Sequence, residues 1–473
     1  MKPIIIKSLL PIIVALILLL VPEPIGLQTG AWNYFILFVV VIIGLIAEPI
    51  PSAAIGLIGI SIAALIFTRS MSDEEAIKWA LTGFANPTVW LIFTAFMFAL
   101  GYQKSGLGKR IALILVKYFG KNTLGLGYAI AFSDLILAPL MPSNTARSGG
   151  TIYPIISRIP SLYHPNLKNN ERQIGSYIYW VALSSACVTS SMFLTSLAPN
   201  LLAADIVNKT IGIEISWISW FIYFLPVGFI LILIVPVFIY VIYPPKLKKC
   251  PEIKIWATDE LQKLGGLTKQ ELKMAGLAII ALLLWIFGKG IINPTTAAII
   301  VLCMMMLTNT ISWEDIISNK SAWNVLVWFA TLVTLAGGLS KTGLTTWIGK
   351  YVSTLLPLNS PMIVLVILIV SFYFLHYFFA SVTSHVTALL PLFLITGKSI
   401  PGLNMFVFSY LLVYSLGIVG ILTPYGTGPS PIYYESKIIS KNHFWSLGFV
   451  CGILFLIILL CIGIPFLFYI NVS

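Results

Sequence analysis

Charge is scarce in this chain: only 9% of its 473 residues are Asp, Glu, Lys or Arg, where a soluble domain carries roughly a quarter. That scarcity excludes an ordinary soluble globule, and hydrophobic residues at 59% with a mean hydropathy of +0.98 exclude a disordered or nucleic-acid-binding chain. Cysteines are few, and Cys187, Cys250, Cys303, Cys451 and Cys461 form no C-x-x-C pair. Neither a disulfide framework nor a zinc site is indicated. There is no H-E-x-x-H, no G-x-S-x-G and no Walker A sequence, so an intramembrane enzyme lacks its parts. The period-2 alternation of an outer-membrane barrel is missing too. No small-residue cleavage site follows the apolar run Ile12 to Val21, which reads as an uncleaved first span.

What the chain does have is apolar runs long enough to cross a hydrocarbon core of about 30 Å. They fall near 8 to 22, 33 to 47, 53 to 67, 88 to 102, 174 to 192, 217 to 243, 274 to 288, 293 to 308, 323 to 338, 404 to 422 and 444 to 470. Two further stretches, 123 to 157 and 361 to 397, are interrupted near their middles by polar residues, the pattern of a re-entrant hairpin. The expected fold is therefore an all-α polytopic membrane protein of about eleven transmembrane helices plus two re-entrant hairpins. With a cytoplasmic N-terminus and the C-terminus outside, most of the 28 basic residues lie on the cytoplasmic side. Outside remain Arg69, Lys78, Lys209, Lys289, Lys341, Lys350 and Lys398, with Arg147 inside the first hairpin. That asymmetry sets the orientation. The net charge of +12 therefore points to loops rather than to a ligand site.

The one long hydrophilic break, 244 to 273, divides the chain near its centre and ends at Thr268, placed to cap a helix. Once the first span is set aside, an odd number of spans with one hairpin lies on each side of it. The halves then enter the membrane with opposite polarity, the arithmetic of an inverted repeat.

Polar residues inside the membrane are concentrated in four places. The first hairpin turns at Pro139 to Gly150, through Ser143, Asn144, Thr145 and Arg147. Proline stops the incoming half-helix, and Ser, Asn and Thr cap the outgoing one, leaving backbone N–H groups and a positive dipole end at the tip. Such a tip suits anions, although Ser143 or Asn144 can equally be a plain N-cap. The second hairpin turns at Phe379 to Thr387 and repeats the Ser-x-Thr pattern in Ser381 and Thr383, again leading to a proline, Pro391. Transporters place substrate where two such tips of inverted repeats meet. One span after each hairpin comes a break, Thr195 to Asn200 and Thr423 to Pro431, the latter holding Pro424, Pro429, Pro431, Gly426 and Gly428. Unwound helix frees carbonyls suited to Na⁺ and N–H groups suited to a carboxylate. Arg147, with Asp134 as its alternative internal partner, and His385 are the charged or chargeable side chains at depth. His376 reads as a structural, hydrogen-bonding histidine, and His164 and His443 fall in loops.

The string Ser143 to Pro154, with Phe379 to Pro391 and Thr423 to Pro429, resembles the divalent anion/sodium symporter family. Within it the resemblance is strongest to the branch of bacterial citrate/succinate antiporters and 2-oxoglutarate/malate translocators. The resemblance implies a homodimer in the lipid bilayer and an elevator-type transporter. The scaffold would comprise 1–121 and 274–355, the transport domain 122–243 and 356–473, and the linker 244–273. Basic amphipathic stretches 107 to 119 and 342 to 355 would be the arms. With Arg147 and His385 taken from their depth in the tips, the candidate substrate contacts are Ser143, Asn144, Thr145, Arg147, Ser381, Thr383, His385, Thr427 and Pro429. Asn144 and Asn200 are the candidate Na⁺ ligands. Val382, however, stands where sodium-coupled members have asparagine, and Ser430 replaces the asparagine that Asn200 keeps.

The expectation is a secondary carrier, not an enzyme, that exchanges succinate, malate, fumarate, 2-oxoglutarate or citrate without a cofactor. A dicarboxylate brings about two negative charges into a low-dielectric site. Fixed positive charge at Arg147 would balance them and hinder return of the empty carrier, favouring exchange. The alternatives are a sodium-coupled dicarboxylate symporter and, more remotely, an anion channel.

Overall fold

The computed structural model describes residues 2–47, 49–162, 174–288, 290–344, 347 and 360–472. Nearly every element is helical, and the backbone of each apolar run satisfies its own hydrogen bonds as a lipid environment demands. Among the described residues, six helices are long and apolar enough to cross a membrane: Thr123–Leu140, Trp217–Ile242, Lys269–Phe287, Lys320–Leu339, Pro361–Phe378 and Lys441–Asn471. Shorter apolar helices include Thr29–Leu45, Ser52–Phe67, Pro294–Leu307 and Met405–Ile421. The all-helical, polytopic class expected from the sequence is the observed one. The second expected arm, 342 to 355, lies mostly outside the described residues, as does His164.

The chain forms two compact units, each drawing on both halves of the sequence. The first comprises Met1–Phe93, Leu201–Ile215 and Asn319–Leu412. Helix Lys320–Lys341 packs along Ser52–Phe67, so closely that a Cβ on Gly56 would stand 2.0 Å from Thr331 Oγ1. Tyr34 is fully buried and donates its hydroxyl to the Leu335 carbonyl at 2.7 Å. Helix Val382–Lys398 of the second hairpin rests on Thr29–Ala47.

The second unit comprises Thr94–Asn200, Ser216–Ser318 and Val413–Ser473. Its axis is Ile174–Met192, every residue of which is buried, flanked by Thr123–Leu137 and Trp217–Ile242. Tyr177 and Trp220 fasten it, donating to Pro236 O at 3.0 Å and from Trp220 Nε1 to Ser191 O at 2.8 Å. Tyr177 thus occupies a carbonyl inside a helix that contains Pro226 and Pro236. Two stretches widen to π-helix, Thr145–Ile152 and Leu459–Gly463. Each ends shortly before a proline, Pro154 or Pro465, whose ring clashes with the carbonyl one turn back and whose missing N–H leaves that carbonyl without its usual donor.

The segment 244 to 273 is structured rather than a free tether. Thr123 donates to Lys248 O at 3.1 Å and Cys250 N to Lys121 O at 3.2 Å, pinning its start to the foot of the first hairpin. Helix Pro251–Leu264 then packs on the amphipathic helix Leu107–Phe119. Buried Arg110 closes the arrangement, donating to Gly265 O at 2.9 Å, Gly266 O at 3.0 Å and Glu271 Oε1 at 2.6 Å. A guanidinium thus occupies the carbonyl-rich end of a helix, where a cation is favoured. Thr268 caps the next helix as its sequence position suggests, in a capping box with Glu271.

Candidate functional site

The first tip is built in the second unit. Helix Thr123–Leu137 tightens to a 3₁₀ turn over Ala138–Leu140 and stops at Met141, and the π-helix leaves from Thr145. Ser143 Oγ accepts from Ala146 N at 3.2 Å, so its side chain serves as a cap. Asn144 instead reaches away from its own chain segment: Nδ2 donates to Thr427 Oγ1 at 2.7 Å. Thr427 belongs to the second break, which lies between the 3₁₀ turn Val419–Ile421 and helix Ser430–Glu435. The approach is close enough that a Cβ on Gly428 would lie 1.8 Å from Thr145 Oγ1; only glycine fits there. Asn144 and Thr427 are buried, Pro429 is buried beside them, and Thr145 and Gly428 remain exposed at the same place. Tip one and break two therefore form one polar locus.

Arg147 is turned inward. It and Asp134 are both fully buried, with Nε 3.1 Å from Asp134 Oδ2. Nη1 donates to Met141 O at 2.8 Å and Ser196 O at 2.9 Å, and Nη2 to Thr189 Oγ1 at 3.2 Å and Ser190 Oγ at 3.1 Å. All five guanidinium donors are spent, and Thr189 also bonds Asp134 Oδ2. A buried cation without such company would be strongly destabilising. With it, Arg147 joins the tip, helix Ile174–Met192 and the first break. The structure thus places Arg147 against Asp134.

The first break is tied to the same hairpin. Helix Ile174–Met192 ends, a 3₁₀ turn covers Leu194–Ser196, and helix Ala198–Ile211 begins. Ala198 N donates to Pro142 O at 2.9 Å and Thr195 Oγ1 to Pro139 O at 2.5 Å. Asn200 donates to Ser190 O at 2.7 Å and Phe193 O at 3.1 Å, while its buried Oδ1 has no partner among the described residues.

The second tip stands in the first unit. Helix Pro361–Leu375 passes through the 3₁₀ turn His376–Phe378, runs extended to Ser381, and restarts as Val382–Lys398. Ser381 Oγ accepts from Thr383 N at 3.2 Å as an N-cap. Val382 and Thr383 are buried. His385 is fully buried, its Nδ1 3.3 Å from His376 Nδ1, so that one ring donates and the other accepts. Phe372 and Phe379 meet the His385 ring edge-on, and its Nε2 has no partner among the described residues.

Sequence reading alone does not reach Thr189 and Ser190, which with the carbonyl of Ser196 in the first break complete the Arg147 cradle. Nor does it reach Tyr433, whose hydroxyl lies 2.9 Å from Ser148 Oγ behind the tip. The run Thr189-Ser190-Ser191 at the end of an otherwise apolar span was the available signal.

Helix-turn-helix tips, broken helices and a buried ion pair inside an apolar helical scaffold define an integral membrane protein built like a secondary transporter. The chain belongs to the family described as the sodium:sulfate symporter transmembrane region, which matches residues 2–470. It is similar to the citrate/succinate antiporter of Escherichia coli (strain K12), 44% identical over 475 residues that cover 98% of this chain and 97% of that one. The L-tartrate/succinate antiporter of Escherichia coli O6:K15:H31 (strain 536 / UPEC) is 46% identical over 472 residues, 97% of either chain. Among solved structures, the YdaH transporter of Alcanivorax borkumensis has a similar fold, with a TM-score of 0.54 at 13% identity, covering 94% of this chain and 99% of that chain. The family resemblance carried by Ser143 to Pro154 therefore holds.

Proposed function

We propose that this protein is a secondary transporter that exchanges small di- or tricarboxylates across the cell membrane. Succinate is the central candidate, with citrate, tartrate, malate, fumarate or 2-oxoglutarate as its counter-substrate. The observation that carries the reading is the locus where Asn144 bonds Thr427 and Gly428 abuts Thr145. Backbone N–H groups of the tip, the Thr145 hydroxyl and the turn around Pro429 are the donors and walls that one carboxylate needs. Ser381, Thr383 and His385 are the corresponding proposed contacts of the second tip. Relatives at 44% and 46% identity that are named for carboxylate antiport support the substrate class.

Exchange without sodium coupling is part of the proposal, but it does not rest on Arg147 as a bare charge. Asp134 offsets that arginine, and the pair adds no net charge. Support comes instead from Val382, which offers no side-chain oxygen to a hard cation, and from the relatives' names. Asn144 and Asn200 remain the residues that would ligate Na⁺ if it were bound, Asn200 through its unpartnered Oδ1. The elevator motion, the homodimer and the scaffold and transport divisions rest on the family resemblance. A cytoplasmic N-terminus rests on the distribution of Lys and Arg.

The test is uptake of labelled succinate into proteoliposomes. The proposal expects uptake when the lumen holds unlabelled dicarboxylate, little into empty vesicles, and no change when choline replaces Na⁺. Uptake into empty vesicles driven by a Na⁺ gradient would make the protein a symporter. Flux indifferent to substrate on the far side would make it a channel.

A further inference from the structure

Behind the first tip, wholly within the second unit, lies a cleft of about 270 Å³. It is lined by Gly150 and Thr151, part of the same π-helix that starts at Thr145. Its lining also includes Gln103, Lys109, Arg158, Trp256 and Glu260. The volume falls just below the usual 300–1,000 Å³ of ligand pockets, a size for a small acid rather than a folded partner.

The charges in this cleft do not balance. Buried Glu260 accepts from Lys263 at 2.9 Å through Oε1. Its Oε2 is 3.8 Å from both Lys109 Nζ and Arg158 Nη1, near enough for attraction and too far for a hydrogen bond. Three cations thus face one carboxylate, and the side chains of Lys109 and Arg158, 45% and 63% exposed, have donors to spare. Gly150 adds no side chain to the lining; a Cβ there would stand 3.5 Å from the Gln103 amide nitrogen. Half-buried Trp256 offers an apolar face for a short carbon chain.

We propose that this cleft is a second anion site, a vestibule on the face that carries segment 244 to 273, where Lys109 and Arg158 hold a small dicarboxylate next to the helix of the first tip. The inference rests on the carboxylate-transport reading. Glu260 is the built-in competitor: the Lys263 ammonium bonded to it, together with the nearby Lys109 and Arg158, holds its carboxyl below the usual range, so it stays ionised. It occupies the cations when the site is empty and yields them to a dianion. A cleft with an excess of one sign of charge raises the local concentration of counter-charged ligand. The carboxylate chemistry is shared with an anionic lipid headgroup, and the experiment separates the two sources.

In uniformly oriented proteoliposomes, the KM for succinate is read on each face separately. Lys109→Gln with Arg158→Gln raises the KM on the segment-244 face by about tenfold, the low end of electrostatic focusing, with kcat and the opposite-face KM unmoved. Glu260→Gln, which removes the competitor, lowers that same KM, a sign that mere disruption of packing does not give. The assignment is overturned if neither variant moves the KM, if both faces shift alike, or if Glu260→Gln raises it. It is also overturned if the double variant's effect vanishes in vesicles without anionic lipid, since the cleft then holds a headgroup. Absence of exchange by the parental protein would refute the transport reading alone, because the cleft has its own readout. Succinate should quench tryptophan fluorescence in the parental protein and not in Trp256→Phe or the double variant; equal quenching in all three overturns the site.

Discussion

The two hairpin tips share the Ser-x-Thr pattern and little else. In the first, the middle residue is Asn144, whose amide staples the tip to the second break, and a buried Arg147 to Asp134 pair sits beneath, its guanidinium fully bonded and its Asp134 Oδ1 without a partner among the described residues. In the second, the middle residue is Val382, and the group beneath is a histidine pair enclosed by Phe372 and Phe379. In both, the serine is spent on capping the outgoing helix. The comparison teaches that the serines are the scaffold of a tip, while the residue between serine and threonine decides what the tip is joined to. Beneath the first tip the unpartnered atom is a carboxylate oxygen, which can only accept; beneath the second it is a histidine nitrogen, which can donate or accept with its tautomer.

The largest test of that contrast is Arg147→Gln or Asp134→Asn. Either should lower stability in detergent by about 3–5 kcal/mol, because each leaves the other charge buried and alone. The double variant should recover much of the loss. A stable Arg147→Gln protein that imports substrate into empty vesicles would break the comparison, making the arginine a working charge. Next, Asn144→Ala should cost about 1–3 kcal/mol of substrate binding, roughly 5- to 150-fold in KM for exchange. Val382→Ala in the other tip should change KM less than about twofold, since a small apolar truncation there removes no polar group. Equal effects would mean that the middle residues are equivalent after all. Gly428→Ala should resemble Asn144→Ala, by pushing the break off Thr145.

The smallest effect provides the solvent-side control for the buried pair. Lys104 bonds Asp315 at 2.5 Å, and this bond, with those from Ser312, holds the Asp315 carboxyl down at about 2. Because its folded value lies below the ordinary 3.8, the contribution is present above pH 3.8 and is lost as pH falls through about 2. Asp315→Asn should cost less than about 1 kcal/mol at pH 7 in thermal unfolding, as partly exposed pairs do. It should flatten the acid limb of the stability curve in that window.

Apolar run length made the helices legible: the runs read at 174 to 192 and 217 to 243 are Ile174–Met192 and Trp217–Ile242 in the structure. Hydrophobicity over some twenty residues leaves few alternatives in lipid. Both turns were legible because polar residues, Ser143 to Arg147 and Ser381 to His385, interrupt apolar runs, and both breaks because Pro199 and the prolines and glycines of 424 to 431 do the same. Less was legible where a side chain's partner lies far along the chain. Arg147 offered two readings, substrate or Asp134, and only the carbonyls of Met141 and Ser196 and the hydroxyls of Thr189 and Ser190 place it. Segment 244 to 273 read as a hydrophilic break because helix Pro251–Leu264 is polar and turns only Ile253, Ala257 and Glu260 inward. The π-helix after the first tip gave no sign beyond Pro154.

The clasp at Arg110 bears on how the molecule is made. Arg110 leaves the ribosome some 155 residues before the carbonyls of Gly265 and Gly266 that receive it, and Glu271 follows later still. Until then the guanidinium has only water or lipid headgroups for company, and helix Leu107–Phe119 lacks the cover of Pro251–Leu264. The first half of the polypeptide is therefore born with an open latch that the central segment shuts, and a nascent chain halted at residue 243 should be cut by trypsin after Lys109 or Arg110, where the finished protein resists.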